Sequence, residues 1–330
     1  MKDHRRSLIA LGIISLFATL LAPFIGASSS VSSSAAEIPG MAQIIFWQLR
    51  LPRVCLAFLS GAALSLGGLV FQALFRNQLA TPFTLGVSSG AAFGAALFYI
   101  LGTSFAFAGF SGSAPCALVG ALGTIALVQA LAKSGRVRSQ VAVLLAGVVI
   151  NFFFSSLIVF LQYISDFTGI VRMTRWLMGG FEVVGFDSAL SLLPFVLLGF
   201  GFIFVKSRDL DLIAVDDEIA LSRGVNVLGV QRNLYIVTSI MVAGVVSLCG
   251  PIGFVDIVVP QICRMLVGSG HRLLSIACVF FGGAFMVACD TAGRTIIAPY
   301  EMPAGIITAL LGGPFFLWLL LRSNRVEFRG

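Results

Sequence analysis

Charge is what this chain most conspicuously lacks. Asp, Glu, Lys and Arg together make up 11% of its residues, where soluble proteins carry about a quarter. No stretch is both long and polar enough to form a soluble domain. Histidine is nearly absent: His4 and His271 are the two present, which argues against a histidine-rich metal site or proton relay. No G-x-x-x-x-G-K-[ST] run occurs, so the chain carries no nucleotide site of that type. The six cysteines, Cys55, Cys116, Cys249, Cys263, Cys278 and Cys289, show neither C-x-x-C nor paired spacing. They read as buried small hydrophobes, not as disulfide or metal partners. Strict apolar–polar alternation is missing too, against a lipid-embedded β-barrel.

What is present is apolar sequence in long runs. Hydrophobic residues make up 58% of the chain, with a mean hydropathy of +1.03. A membrane-spanning helix needs about 20 mostly apolar residues. Ten windows approach that length: Leu8 to Ile25, Val54 to Phe75, Leu85 to Leu101, Ala117 to Leu131, Val141 to Tyr163, Leu190 to Val205, Leu234 to Leu248, Gly253 to Val267, Leu273 to Ala288 and Gly305 to Leu321. The expected fold is all-α, a polytopic membrane helix bundle of about ten transmembrane helices. The Gly253 window is short and interrupted by Pro260, which predicts a broken or partly re-entrant helix. The basic start before Leu8 resembles a signal peptide, but its apolar run is long for one, so it is read as the first helix. Thirty-six glycines suit such a bundle, because lipid provides no hydrophobic drive between helices and small residues let backbones approach. Gly86, Gly90 and Gly94 share one such face.

The basic residues orient the bundle. With a cytoplasmic N-terminus and ten spans, sixteen of the 21 Lys and Arg fall on the cytoplasmic side, as the positive-inside rule requires. Both termini are then cytoplasmic. The net charge of +7 is distributed through short juxtamembrane loops and forms no stripe, so nucleic acid is not an expected partner.

The segment Lys206 to Arg232 holds nine charged residues. Asp216 suits a helix N-cap, Asp217 and Glu218 suit the first turn that follows, and Gly224 suits a C′ position. A short helix, a turn and a second short helix beginning at Asn226 are predicted. On the opposite side Arg50, Arg53 and Arg294 run against the orientation rule, which points to another role. Arginine is built for bidentate carboxylate pairing; interfacial snorkelling, or for Arg294 an i,i+4 pair with Asp290, is the alternative. Arg172 and Arg175 share that side. Asp256, in GFVDIVVP, is a carboxylate at the start of a span. Asn151, Ser155, Ser156 and Gln162 give the fifth window its polar positions, either lining a path or bonding neighbouring helices.

Six fragments carry a resemblance along nearly the whole chain: RLPR (50–53), GAALSLGGLVFQALFRNQLATPFTLGVSSGAAFG (61–94), LLAGVVIN (144–151), RWLMGGF (175–181), GPIGF (250–254) and DTAGRTIIAPYEMPAGIITALLGGPFF (290–316). In this order they resemble the FecCD family, the membrane permeases of ABC importers for iron siderophores, haem and vitamin B12. The resemblance implies one permease domain over 1–330, with a cytoplasmic coupling segment at 206–232, in the bacterial inner membrane. It implies a homodimer or a pair of related subunits, two cytoplasmic ATPase subunits that carry the ATP and Mg, an extracytoplasmic substrate-binding protein, and no cofactor in this chain. Ferric siderophore is the commonest cargo of that family and the expected one.

Carried over position by position, Asp216, Asp217, Glu218, Ala220, Arg223 and Gly224 match the ATPase-coupling loop, with Arg223-Gly224 where the family has Leu-Gly. Arg50, Arg53 and Arg294 match arginines that receive glutamates of the binding protein. Ser139 and Gln140 match the cytoplasmic gate region, and Asn151 and Ser155 lie on the helix bordering the translocation path. Asp256 stands where the family usually has Gly, and Gln261 where a His after Pro260 is common. Two rival classes remain: an ion-coupled secondary transporter using Asp256 or Asp290, and an intramembrane enzyme, for which the spans offer no paired acids, metal cluster or base-activated nucleophile.

Overall fold

The computed structural model describes residues 2–25, 41–101, 106–107, 110–133, 140–297 and 300–327. Its helices are α1 (Lys2–Leu21), α2 (Leu51–Leu74), α3 (Val87–Ile100), α4 (Ser113–Lys133), α5 (Gln140–Ile164), α6 (Phe167–Leu177), α7 (Asp187–Val205), α8 (Ser207–Val215), α9 (Asp217–Ser222), α10 (Val227–Cys249), α11 (Val255–Val267), α12 (His271–Thr295) and α13 (Ala304–Glu327). The only β-structure among the described residues is a minimal hairpin pairing Ala106–Phe107 with Phe110–Ser111. Every apolar window of the sequence holds a helix. Among the described residues, seven helices are long and apolar enough to cross a membrane, while α3 is a shorter apolar helix and α11 has 13 residues.

The bundle is organised around α2, in which every residue from Ser60 to Leu74 is buried. Small residues permit this. A Cβ on Gly61 would overlap the carbonyl of Gly282 in α12, and one on Gly68 would overlap the carbonyl oxygen of Asp256 in α11. The Ser65 hydroxyl also donates to the Cys278 carbonyl at 2.8 Å. The glycine face of α3 behaves as expected, since Gly90 and Gly94 lie against the α4 backbone at Gly120 and Cys116. By contrast, 17% of the apolar window of α5 is buried. Its outer side presents Val149, Phe152, Phe153, Val159, Phe160 and Tyr163.

Helix α2 begins earlier than its apolar pattern suggests. A turn at Met41–Ile44 and a π-helical stretch Ile45–Arg50 run straight into it. Pro52 has no N–H to return to the Gln48 carbonyl, and that carbonyl instead accepts the Gly185 N–H at 2.8 Å. Two further expectations are corrected. The short helices between α7 and α10 are α8 and α9, and Asn226 caps α10 itself by accepting from Gly229 N at 3.1 Å, so no separate helix begins there. Helix α6 falls between the predicted spans; its N-cap is Asp166, whose side chain accepts from Gly169 N at 3.0 Å. The Gly253 window is not broken at Pro260, since α11 runs through that residue unbroken from Val255 to Val267. The irregular backbone lies just before it: Gly250 to Phe254 is non-helical, Gly250 and Phe254 having φ of 71° and 69°, with Gly250 and Ile252 buried and the residues between and after them partly covered.

Candidate functional site

The helices place charged groups at two opposite ends of the bundle. The first end contains the start of α2, the end of α12 and the connections into α7 and α13. Here Asp290, 1% exposed in its side chain, is shared by two arginines: Arg53 Nη2 at 2.9 Å and Arg294 Nε at 3.0 Å. Arg53 Nη1 also reaches Glu301 at 2.7 Å. A buried carboxylate is stable only when compensated, and two guanidinium groups supply that compensation. Arg50 donates to the Pro23 carbonyl at 3.2 Å. Arg175 pairs with Glu182 at 2.7 Å on the surface.

Arg53, Arg175, Glu182 and Glu301 border a cavity of about 830 Å³ that Arg172, Trp176 and Tyr300 also line. Its floor is where three sequence fragments converge. Gly180 N donates to Cys249 O at 2.8 Å, Gly305 N to Gly179 O at 3.1 Å and Met302 N to Gly293 O at 3.0 Å. Gly179 has φ of +64° and lies against the Pro251 carbonyl, so that turn tolerates no side chain without strain.

The second end contains the end of α2, the start of α12 and the α8–α9 unit. Asp216 caps α9, its carboxylate accepting from Glu218 N at 2.7 Å, and Gly224 has φ of +81°, both as predicted. Asp217 pairs with Arg76 at 2.5 Å and receives a bond from Gln231 Nε2 at 3.3 Å. Asp211 accepts from His271 N at 2.8 Å and meets the His271 ring at 2.6 Å. Burial works to raise the Asp211 carboxyl, but the hydrogen bonds and charge of His271 prevail and hold it below the usual carboxylate range. Ala220 is fully buried, whereas Glu218, Arg223 and Gly224 face outward. Val215, Ile219, Leu221 and Leu228 are exposed around them.

Of the predicted path residues, Ser139 lies outside the described residues and Gln140 opens α5. Asn151 turns its amide into the protein, donating to the carbonyls of Phe83 and Thr84 at 3.0 and 3.2 Å. Ser155 lies on the exposed side of α5. Asp256 is buried, and its backbone carbonyl accepts from Gln72 Nε2 at 3.1 Å. Gln261 bridges two neighbours, donating to Gln78 at 3.1 Å and accepting from Arg264 at 2.6 Å. Sequence reasoning missed Arg76, Glu301 and Gln72, whose partners lie far along the chain. Among the described residues, no group of three or more His, Cys, Asp or Glu is arranged to hold a metal ion.

A helical bundle of this architecture, buried on one central helix and charged at both ends, is that of a transport permease. The chain belongs to the FecCD transport family, whose model matches residues 7–322. It is 36% identical over 285 residues to the hemin transport system permease protein HmuU of Yersinia pestis, covering 85% of this chain and 84% of that one. It is 35% identical over 324 residues to the vitamin B12 import system permease protein BtuC of Salmonella paratyphi A, covering 97% and 96%. An ABC transporter permease, YvrB of Bacillus subtilis, is 37% identical over 284 residues, covering 85% and 80%. Among solved structures, a metal-chelate type ABC transporter in an inward-facing conformation superposes with a TM-score of 0.83 at 30% identity, covering 96% of this chain and 99% of that one. The protein is therefore an integral membrane permease of an ABC importer.

Proposed function

We propose that the chain moves a metal chelate into the cytoplasm, ferric siderophore being the preferred cargo and haem or cobalamin the alternatives, by alternating access driven by two separate ATPase subunits. A hydrophilic chelate of that size cannot cross lipid, so a substrate-binding protein captures it outside and releases it between two permease subunits, preferably two copies of this chain. In this reading the first end faces outward in the bacterial inner membrane and the second faces the cytoplasm. The observation that carries the reading is the α8–α9 unit. It is braced from behind by Arg76, Gln231 and His271, while its free face shows Ile219, Leu221, Glu218 and Arg223. A rigidly mounted, mixed apolar and charged knob is what an ATPase groove needs in order to transmit force.

The outer end supports a refinement of binding-protein docking. Arg294 is 5% exposed and serves as an internal brace of Asp290. Arg50 and Arg53 remain nearer the surface, with Arg172 and Arg175 beside them, and these are the arginines proposed to meet carboxylates of the partner. Asp290 is committed to two arginines, which leaves it poorly placed as an ion-coupling site. The test is uptake into proteoliposomes containing this chain with its ATPase and binding protein. Labelled ferric chelate, hemin and cobalamin are compared with and without internal ATP. ATP-dependent accumulation of ferric chelate is expected, and uptake without ATP that a protonophore abolishes would refute the reading.

A further inference from the structure

The connection between α2 and α3 is tied to three otherwise separate elements. Its first residue after the α2 C-cap, Arg76, has a φ of +46°, a left-handed conformation that a bulky side chain seldom adopts. The side chain explains the posture. Nε and Nη2 of Arg76 donate to the Ile213 carbonyl at 3.0 and 2.8 Å, and Nη2 also grips Asp217 at 2.5 Å. One guanidinium thus holds the end of α8 and the first residue of α9 together. A strained backbone persists only where its surroundings over-determine it.

Further along, the same connection is bound on two sides. Toward α11, Gln72 in the last turn of α2 donates to the Asp256 carbonyl at 3.1 Å, and Gln78 of the connection accepts from Gln261 at 3.1 Å. Arg264 ties this side together by donating to Gln72 at 2.5 Å and to Gln261 at 2.6 Å. Toward α5, Asn151 donates to the carbonyls of Phe83 and Thr84, and Gly147 allows the α5 backbone to press on Thr84 and Leu85. This seat adds to the packing of α5 on α3 and α4.

We infer that Arg76 is the joint through which displacement of the α8–α9 unit is carried into the α2–α3 connection, and from there to α5 through Asn151 and to α11 through Gln78 and Gln261. Arg76 acts by positioning, with no contact to cargo. The inference rests on the proposed coupling of α8–α9 to an ATPase. Movement of that unit then pulls a connection already strained at one residue, and helices seated on it follow as a body.

The test uses the full transporter in proteoliposomes and the Arg76→Gly variant. Glycine adopts φ of +46° without strain, so the grip is lost while the backbone is spared. In a background with Cys55 and Cys116 replaced by Ser, spin labels are placed on exposed Val149 of α5 and Leu198 of α7, and separately on Ser222, exposed at the end of α9 and outside its docking face, and Leu198. In the unsubstituted chain, ATP shifts both distances. With R76G the α9 distance still shifts, the α5 distance does not, ATP hydrolysis stays within about twofold and transport falls at least tenfold. Asn151→Leu, which cuts the α5 end of the connection, loses the α5 shift alone. An unchanged α5 shift or transport in R76G overturns the inference. An α9 distance insensitive to ATP in the unsubstituted chain overturns the coupling reading beneath it.

Discussion

The two ends of the bundle use their charges in opposite ways. At the first, Asp290 is sealed between Arg53 and Arg294, and the pairing locks α2 to α12. At the second, Asp217 and Arg76 are 40% and 32% exposed in their side chains, and the pairing mounts a surface knob. A charge cluster near a membrane boundary is thus not one kind of feature. Burial decides whether it closes the fold or presents a contact.

That contrast can be broken experimentally. The largest effect is expected from Asp290→Asn, which leaves two partly buried arginines without their shared counter-charge; loss of one partner of a buried pair costs about 3–5 kcal/mol. A large fall in melting temperature of the purified protein should follow, and an unchanged one would show that Asp290 is not the closure. Next, Arg50→Glu should weaken association with the binding protein roughly tenfold at low salt, the difference shrinking as ionic strength rises. Binding measured across a salt series decides it, and salt-independent association would count against docking there.

A smaller effect concerns the Asp211–His271 staple at the second end. A carboxylate whose folded value is depressed contributes stability above its ordinary value near 4 and loses it as pH falls through the lowered folded value. Hydrogen exchange in α8 should therefore accelerate below about pH 4 in the unsubstituted chain, and Asp211→Asn should remove that pH dependence. The smallest effect belongs to Glu182→Ala, which cuts an exposed pair with Arg175 worth less than about 1 kcal/mol. Its melting temperature should stay within a degree or two, in contrast to the Asp290 variant.

Much of this arrangement was legible in the residues. Long apolar windows located the helices, and N-cap chemistry placed Asp216 and Gly224 at the two ends of α9. The i,i+4 spacing offered the Asp290–Arg294 pair only as the alternative to docking at Arg294. Contacts across the chain were not legible: Arg53 and Asp290 are 237 positions apart, and one sequence reveals spacing, not proximity. Arg76 was missed for a different reason, since two of its bonds go to the Ile213 backbone carbonyl, which every residue type carries. Helix α6 was hidden because it is too short and too mixed in polarity to stand out among apolar spans. The start of α2 at a π-helical turn depends on Pro52 freeing a carbonyl that Gly185 then satisfies, a tertiary event.

On the proposed function, the α8–α9 unit converts ATP hydrolysis on partner subunits into movement of this permease. The most direct measurement is ATP-driven uptake of labelled ferric chelate by proteoliposomes carrying Asp217→Lys and Glu218→Lys together, with hydrolysis followed in the same vesicles. Transport per ATP hydrolysed should fall at least tenfold while the first end still binds its partner. Uptake and coupling equal to the unsubstituted transporter would contradict it.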